Sequence, residues 1–117
     1  MRNFREYEIW IKAIDLADIV YQITDHFPVD QRYSLSSQLQ RAVVSISSNI
    51  AEGASRVSEK DFARFLELSL GSAYETESQL VVASRRKYVN EEMYNQVTGD
   101  LIMLQKQIAH LINKIRG

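Results

Sequence analysis

Apolar residues recur along most of the chain at steps of three and four residues, the spacing that places side chains on one face of an α-helix. The recurrence predicts four helices: residues 7–26, residues 34–52, a third from residue 58 to the basic run at 85–87, and a fourth from residue 90 towards residue 116. No segment shows the alternating pattern of a β-strand. Long helices with short joints predict an all-α, up-down-up-down antiparallel four-helix bundle, with residues 1–117 as a single domain.

Turn and capping residues mark the predicted helix ends. Pro28 ends the first helix, because proline disfavours helical geometry in the residue before it. Gly53 is expected to follow the second helix as a C′ residue in the left-handed conformation. Ser58 followed by Asp61 resembles a capping box at the start of the third helix. Asn90 is expected to cap the fourth helix.

The second helix is unusual because only Arg41 and Glu52 carry charge between residues 34 and 54. A helical projection separates its apolar core stripe from two other surfaces. The first is a polar stripe, which we expect to form a hydrogen-bonded network with a carboxylate of the third helix. The residues of this network are Gln38, Arg41, Ser45, Asn49, Glu52 and Glu75.

The remaining surface of the second helix is small, flat and uncharged. A solvent-exposed helix of a bundle usually carries lysine and glutamate, and their absence predicts that this surface is a subunit interface. The alternative is a monomer whose central helix is rich in serine. The predicted interface residues are Ser37, Val44, Ser47, Ser48 and Ala51.

Composition narrows the classes of protein to which the chain can belong. Fourteen basic and fifteen acidic residues give a net charge of −1, so the chain lacks the strong overall positive charge of many nucleic-acid-binding proteins. The absence of cysteine excludes disulfides and thiolate chemistry and fits a cytoplasmic protein. The N-terminal residues lack the apolar core of a signal peptide, and no apolar run is long enough to span a membrane.

No arrangement of residues predicts catalysis or a bound cofactor. No glutamate is followed three residues later by histidine, as a di-iron bundle requires, and there is no HExxH, Walker or GxGxxG motif. His26 and His110 lie near predicted helix ends, where surface or capping roles are expected. We therefore expect no enzyme activity, no catalytic residue, no metal site, no cofactor and no small-molecule substrate.

A basic run before the fourth helix is the main candidate for binding. Arg85, Arg86 and Lys87 are followed by Tyr88, and this basic triplet ending in an aromatic residue suits a contact with nucleic-acid phosphates. The alternative is that the three charges complement the negative C-terminal end of the third helix. The N-terminal segment Arg2–Arg5 is either a frayed end or an arm.

Three parts of the chain resemble one family of small bacterial proteins. The first contains Phe4, Tyr7 and Trp10 and extends to the Phe-Pro pair at 27–28. The second, residues 35–53, includes the runs RAVVSI and NIAEG, and the third, residues 62–80, includes GS followed by Glu75 and Gln79. These runs resemble the four-helix-bundle proteins encoded in 23S rRNA intervening sequences, and the resemblance covers nearly the whole chain.

The resemblance implies a homopentameric barrel of four-helix bundles without catalytic activity. A similar protein accompanies the reverse transcriptase of diversity-generating retroelements; it is a basic pentamer, a pattern from which this chain departs in its net charge of −1. A ring of five copies would nevertheless repeat the basic triplet five times. The expected function is a non-enzymatic homo-oligomer with RNA or the ribosome as its partner. The alternative is a protein–protein interaction scaffold with no nucleic-acid role.

Overall fold

The computed structural model describes residues 2–117, which contain four long α-helices and no β-strand. Helix α1 spans Glu8–Thr24, α2 spans Leu35–Ala54, α3 spans Glu59–Arg85 and α4 spans Glu91–Arg116. One-turn 3₁₀ helices precede α1 and α2, at residues 4–6 and 29–31. The all-α prediction is confirmed, and each helix lies within a few residues of its predicted bounds. No helix of residues 2–117 is long and apolar enough to cross a membrane.

The helices form an antiparallel bundle in chain order. Helix α2 packs between α1 and α3, and α4 closes the bundle against α3 and α1. Gln40 of α2 donates a hydrogen bond to the hydroxyl of Thr24 at the end of α1. The bundle measures 44 × 23 × 20 Å. The predicted four-helix bundle is therefore present, with each helix in contact with its neighbours in sequence.

One apolar stripe from each helix forms a common core. Burying a leucine or isoleucine side chain contributes roughly 1.5–3 kcal/mol, so this core is the main source of stability. The core also accounts for the apolar spacing of three and four residues, since each apolar stripe lies on the helix face that meets the other helices. Core side chains with no exposed surface include Val20, Leu39, Val43, Ile46, Ile50, Leu66, Leu80, Val97, Leu101, Leu104 and Ile108.

Both predicted N-terminal caps are present. The hydroxyl of Ser58 accepts a hydrogen bond of 3.1 Å from the backbone N–H of Asp61. The side-chain oxygen of Asn90 accepts one of 2.7 Å from the backbone N–H of Met93. Each cap satisfies a donor that the first turn of a helix leaves free, and contributes about 1 kcal/mol.

Gly53 does not end α2, and the prediction of a left-handed C′ glycine at this position is wrong. The helix continues through Gly53 to Ala54 and is capped at Ser55. A β-carbon built on Gly53 would lie 2.6 Å from the β-carbon of Phe65 in α3. Glycine is therefore present here because it allows two helices to approach closely, not because the chain must turn.

The N-terminal segment is an arm that packs against the bundle. The guanidinium of Arg2 donates a hydrogen bond to the carbonyl of Arg56, just beyond α2, and forms an ion pair with Glu59 at the start of α3. It also lies 4.5 Å from the centre of the Phe62 ring, a cation–π geometry. The arm is therefore anchored to the α2–α3 connection through Arg2, and we call this end of the bundle the arm end.

Candidate functional site

The basic run ends α3 in a Schellman motif. The backbone N–H of Tyr88 donates to the carbonyl of Ala83 at 2.9 Å, and that of Lys87 donates to Ser84 at 3.0 Å. Lys87 has φ = +62°, and no other non-glycine residue among 2–117 has a positive φ. This left-handed position normally favours glycine. The three cations Arg85–Lys87 are all exposed, so the tight turn presents them together at the surface.

Tyr88 is half-buried, in contrast to the three cations before it. Its ring packs against Phe27, with 5.5 Å between ring centroids, and the guanidinium of Arg86 lies 5.9 Å from its centre. The ring is therefore anchored in the bundle while part of it lines a groove of about 330 Å³ between α1 and the start of α4. The other residues lining this groove are Gln22, Ile23, His26, Val89, Asn90 and Met93.

Charge is balanced at this end of the bundle, which we call the turn end. Arg32 and the three cations of the turn are offset by four exposed carboxylates, those of Asp25, Asp30, Glu91 and Glu92. The positive field is therefore confined to the immediate surroundings of the turn. Arg85 lies in the last turn of α3, where a cation also complements the negative end of the helix.

The outer surface of α2 contains most of the predicted subunit interface. Val44 and Ser48 are exposed, and Ser37 and Ala51 are half-buried. Ser47 differs, because it is only 5% exposed and its hydroxyl donates to the carbonyl of Val44. The hydroxyl of Ser47 is therefore engaged within its own protomer, whereas the other four residues of the predicted interface are at least partly exposed.

A stripe of α1 extends the uncharged surface of α2. The hydrogen bond between Thr24 and Gln40 fixes the register of this antiparallel pair. Stepping along both helices from this pair places Tyr21 level with Val43, one residue before Val44, and Ile14 level with Ile50, one residue before Ala51. Tyr21 is 44% exposed and Ile14 is 37% exposed. The joint surface, which we call the α1–α2 face, consists of Ile14, Tyr21, Ser37, Val44, Ser48 and Ala51.

The two α1 residues of this face were missed by the prediction from sequence. Ile14 and Tyr21 belong to a second apolar stripe beside the core stripe of α1, and a broad apolar stripe is usually a sign of a wide core. Their exposure shows instead that the bundle does not cover them. The available signal was the breadth of the apolar face of α1, which exceeds what its neighbouring helices α2 and α4 bury.

The middle of the predicted polar stripe turns towards α3. The hydroxyl of Ser72 donates to the hydroxyl of Ser45 at 2.9 Å. The side-chain amide of Asn49 donates to both the carbonyl and the hydroxyl of Ser45, each at 2.9 Å. These three residues form a small hydrogen-bonded cluster between α2 and α3.

The rest of the polar stripe does not join this cluster. Gln38 and Arg41 are exposed, and within residues 2–117 neither side chain forms a hydrogen bond or ion pair. Glu52 pairs with Arg56, one turn further along the chain, at 3.0 Å. Glu75 accepts a hydrogen bond from a glutamine of its own helix. Within the protomer the six predicted residues therefore do not form one continuous network, because the stripe is wider than the contact with α3.

Metal-ligating side chains do not cluster in this bundle. Across residues 2–117, no three histidine or carboxylate side chains are placed to hold a metal ion. His26 lines the groove at the turn end, whereas His110 is exposed on α4. The two histidines therefore lie in separate parts of the molecule.

One surface ion pair shifts the pKa values of both its members. Glu67 of α3 and Arg116 of α4 are 2.7 Å apart. The hydrogen bond from Arg116, together with its charge, lowers the pKa of Glu67, and the same hydrogen bond raises the pKa of Arg116. Both groups favour their charged forms, so the pair joins two helices and is not poised to transfer a proton.

Comparison with known proteins identifies a family. A family model described as "23S rRNA-intervening sequence protein" matches residues 5–110. A solved structure of similar fold is that of a protein with unknown function from the S23 ribosomal protein family of Bacteroides thetaiotaomicron. It superposes with a TM-score of 0.83 and 27% sequence identity, over 89% of this chain and 97% of that one. No curated protein matches the chain.

Proposed function

The chain belongs to the 23S rRNA-intervening sequence protein family, and on this basis we propose that it is a non-enzymatic, homo-oligomeric accessory protein that binds RNA. The observation that carries the proposal is the left-handed turn at Lys87, which presents three consecutive cations beside the anchored ring of Tyr88. Closely spaced cations suit contacts with successive phosphates. The family description and the S23 relative support ribosomal RNA, in the cytoplasm, as the partner.

The α1–α2 face supports the homo-oligomeric part of the proposal. It combines exposed tyrosine, isoleucine and valine with small polar residues and has no charged side chain among its members. Contiguous apolar surface of this kind marks an interaction site more often than a solvated face. A ring of five protomers would repeat the basic turn, so a chain with a net charge of −1 can present several positive sites.

A salt titration of RNA binding tests the RNA part of this proposal. Affinity for labelled ribosomal RNA fragments should fall steeply with rising salt, because binding releases counterions from the phosphates. The informative variant removes the three cations of the turn while keeping its left-handed position: Arg85→Ser, Arg86→Ser and Lys87→Gly. The matched control removes three exposed cations elsewhere: Lys60→Ser, Lys106→Ser and Lys114→Ser. Equal losses in both variants, or no binding at low salt, would contradict the proposal.

Light scattering tests the oligomeric part separately. The wild-type protein should have a mass several times that of the 13.5 kDa protomer. Val44→Lys or Ser48→Lys places an unpaired charge in the α1–α2 face and should lower that mass. Asp100→Lys, at an exposed position of α4, a helix that contributes no residue to this face, should leave the mass unchanged. A monomer mass for the wild-type protein at micromolar concentration would refute assembly.

A protein–protein interaction scaffold is the second candidate function. The balanced charge at the turn end favours it, because four carboxylates there offset the basic residues. Affinity purification with and without nuclease separates the two functions. Protein partners that survive nuclease treatment favour the scaffold, whereas partners lost with the RNA favour the RNA-binding role.

A further inference from the structure

Two grooves lie on either side of the α3–α4 connection and share two lining residues, Val89 and Asn90. The first, of about 330 Å³, is lined by the ring of Tyr88 and by side chains from the end of α1. The second, of about 500 Å³, is lined by Lys87 and by the first turns of α4. The two grooves are therefore neighbours across the connection, one with an aromatic part and one with a cationic part, and we call the pair the track.

The first groove has the chemistry of a site for a single planar ring. Its volume is at the lower limit of small-molecule pockets, which occupy roughly 300–1,000 Å³. Tyr88 provides an aromatic surface, and Ile23 and Met93 add apolar contacts. Gln22 and His26 also line the groove, and in residues 2–117 their side chains form no hydrogen bond with the protein. They are available to bond the edge of a nucleobase.

The second groove has the chemistry of a phosphate contact. Lys87 lines it and directly precedes Tyr88, so a cation stands next to the aromatic part of the track. Glu91 lines the same groove and reduces the attraction for an anion. We therefore expect base stacking against Tyr88 to add to the affinity that the cations of the turn supply.

We propose that this track binds unpaired RNA, with one base against Tyr88 and an adjacent phosphate at Lys87. The inference rests on the proposed function and narrows its substrate class to single-stranded RNA. A base paired within a duplex cannot enter the first groove, because its face is stacked and its edge is already bonded. A splayed base in a loop or at a strand end has a free face and a free edge, so it can enter the groove.

Fluorescence anisotropy with two labelled ligands tests this inference. The ligands are a short oligouridylate and a blunt RNA duplex of the same length. Tyr88→Ile keeps an apolar side chain against Phe27 but removes the ring, and should weaken oligouridylate binding roughly fivefold to a hundredfold. Tyr74→Ile is the matched control, because Tyr74 is 58% exposed in the middle of α3 and should change nothing.

The two histidines provide a second measurement that does not depend on a substitution. Adding oligouridylate to the wild-type protein should shift the imidazole NMR signals of His26, which lines the first groove, and leave those of His110 unchanged. Equal shifts of both signals, or none, would overturn the inference even if Tyr88→Ile fails to fold.

The outcomes separate this inference from the proposed function. If the duplex binds as tightly as the oligouridylate, and Tyr88→Ile is unaffected while loss of the turn cations abolishes binding, the unpaired-RNA track is refuted and RNA binding stands. If neither ligand binds at low salt, both proposals fail. Preferential oligouridylate binding that depends on Tyr88 supports both.

Discussion

The two ends of the bundle satisfy the backbone carbonyls near their helix ends in different ways. At the arm end, Arg2 reaches from the N-terminal segment to bond a backbone carbonyl beyond α2. At the turn end, the carbonyls of α3 are satisfied by the backbone itself, through the Schellman motif at Lys87. The side chain of Arg2 is therefore engaged with the backbone at the arm end, whereas the three cations Arg85–Lys87 remain exposed at the turn end.

The two ends of the bundle also differ in how closely their helices pack. At the arm end, Gly53 brings α2 so close to Phe65 that no β-carbon fits between them. At the turn end, Val29 is 79% exposed and Tyr33 is 87% exposed, and the grooves open beside Tyr88. Val57 is also fully exposed at the arm end, so the difference between the ends lies in the close α2–α3 crossing at Gly53, which contributes stability there.

The largest expected effect is the loss of close packing at the arm end. Gly53→Ala should lower the free energy of unfolding by about 2 kcal/mol, because the added carbon forces α2 and α3 apart. Gly99→Ala is the matched control: this glycine is also inside a helix, but no atom lies within 4 Å of the added carbon. The higher helix propensity of alanine should raise the free energy of unfolding by up to about 1 kcal/mol. Chemical denaturation measures both, and a stabilised Gly53→Ala would contradict the close approach.

Removing the arm's anchor should have the next largest effect. Arg2→Ala deletes the bond to the carbonyl of Arg56, the ion pair with Glu59 and the contact with the Phe62 ring. We expect a loss of about 1 kcal/mol and faster amide exchange at the arm end. Arg5→Ala, which removes an exposed arginine three residues later, should cost less than half as much. Equal effects of the two substitutions would show that the arm does not depend on Arg2.

A stabilising substitution is expected at the turn end. Lys87→Gly removes a β-carbon from a left-handed position and should raise the free energy of unfolding by about 0.5–1 kcal/mol. Arg86→Gly removes the same net charge from a residue with φ = −79°, where glycine has no such advantage. It should leave stability unchanged or lower it. Thermal denaturation distinguishes the two, and a destabilised Lys87→Gly would show that the turn is not strained.

The smallest expected effect is a pH dependence from the pair that joins α3 to α4. Glu67 has its pKa lowered by Arg116 in the folded state, so the stabilisation is complete above the unfolded value near 4.5 and is lost as pH falls through the folded pKa. Glu67→Gln should therefore melt lower than wild type at neutral pH and identically in strong acid. High salt should shrink the difference. A difference in melting temperature that persists in strong acid would rule out the ion pair as its cause.

Local sequence signals identified the helices and two of their caps. The periodic apolar residues specify which face of each helix is buried, and Ser58 and Asn90 specify where α3 and α4 begin. The sequence does not reveal the role of Gly53, because a glycine at a helix end and a glycine at a helix crossing have the same sequence context. Only the neighbouring Phe65 distinguishes them.

The candidate sites depended more strongly on tertiary structure. The sequence alone placed three cations before Tyr88, but the left-handed turn that exposes them and the contact with Phe27 that anchors the ring follow from the chain's path between α3 and α4. It also could not separate Ser47 from Ser48, although one is buried and the other exposed. Helical period determines the relative directions of side chains on one helix, whereas the width of surface that stays uncovered is set by where the neighbouring helices pack.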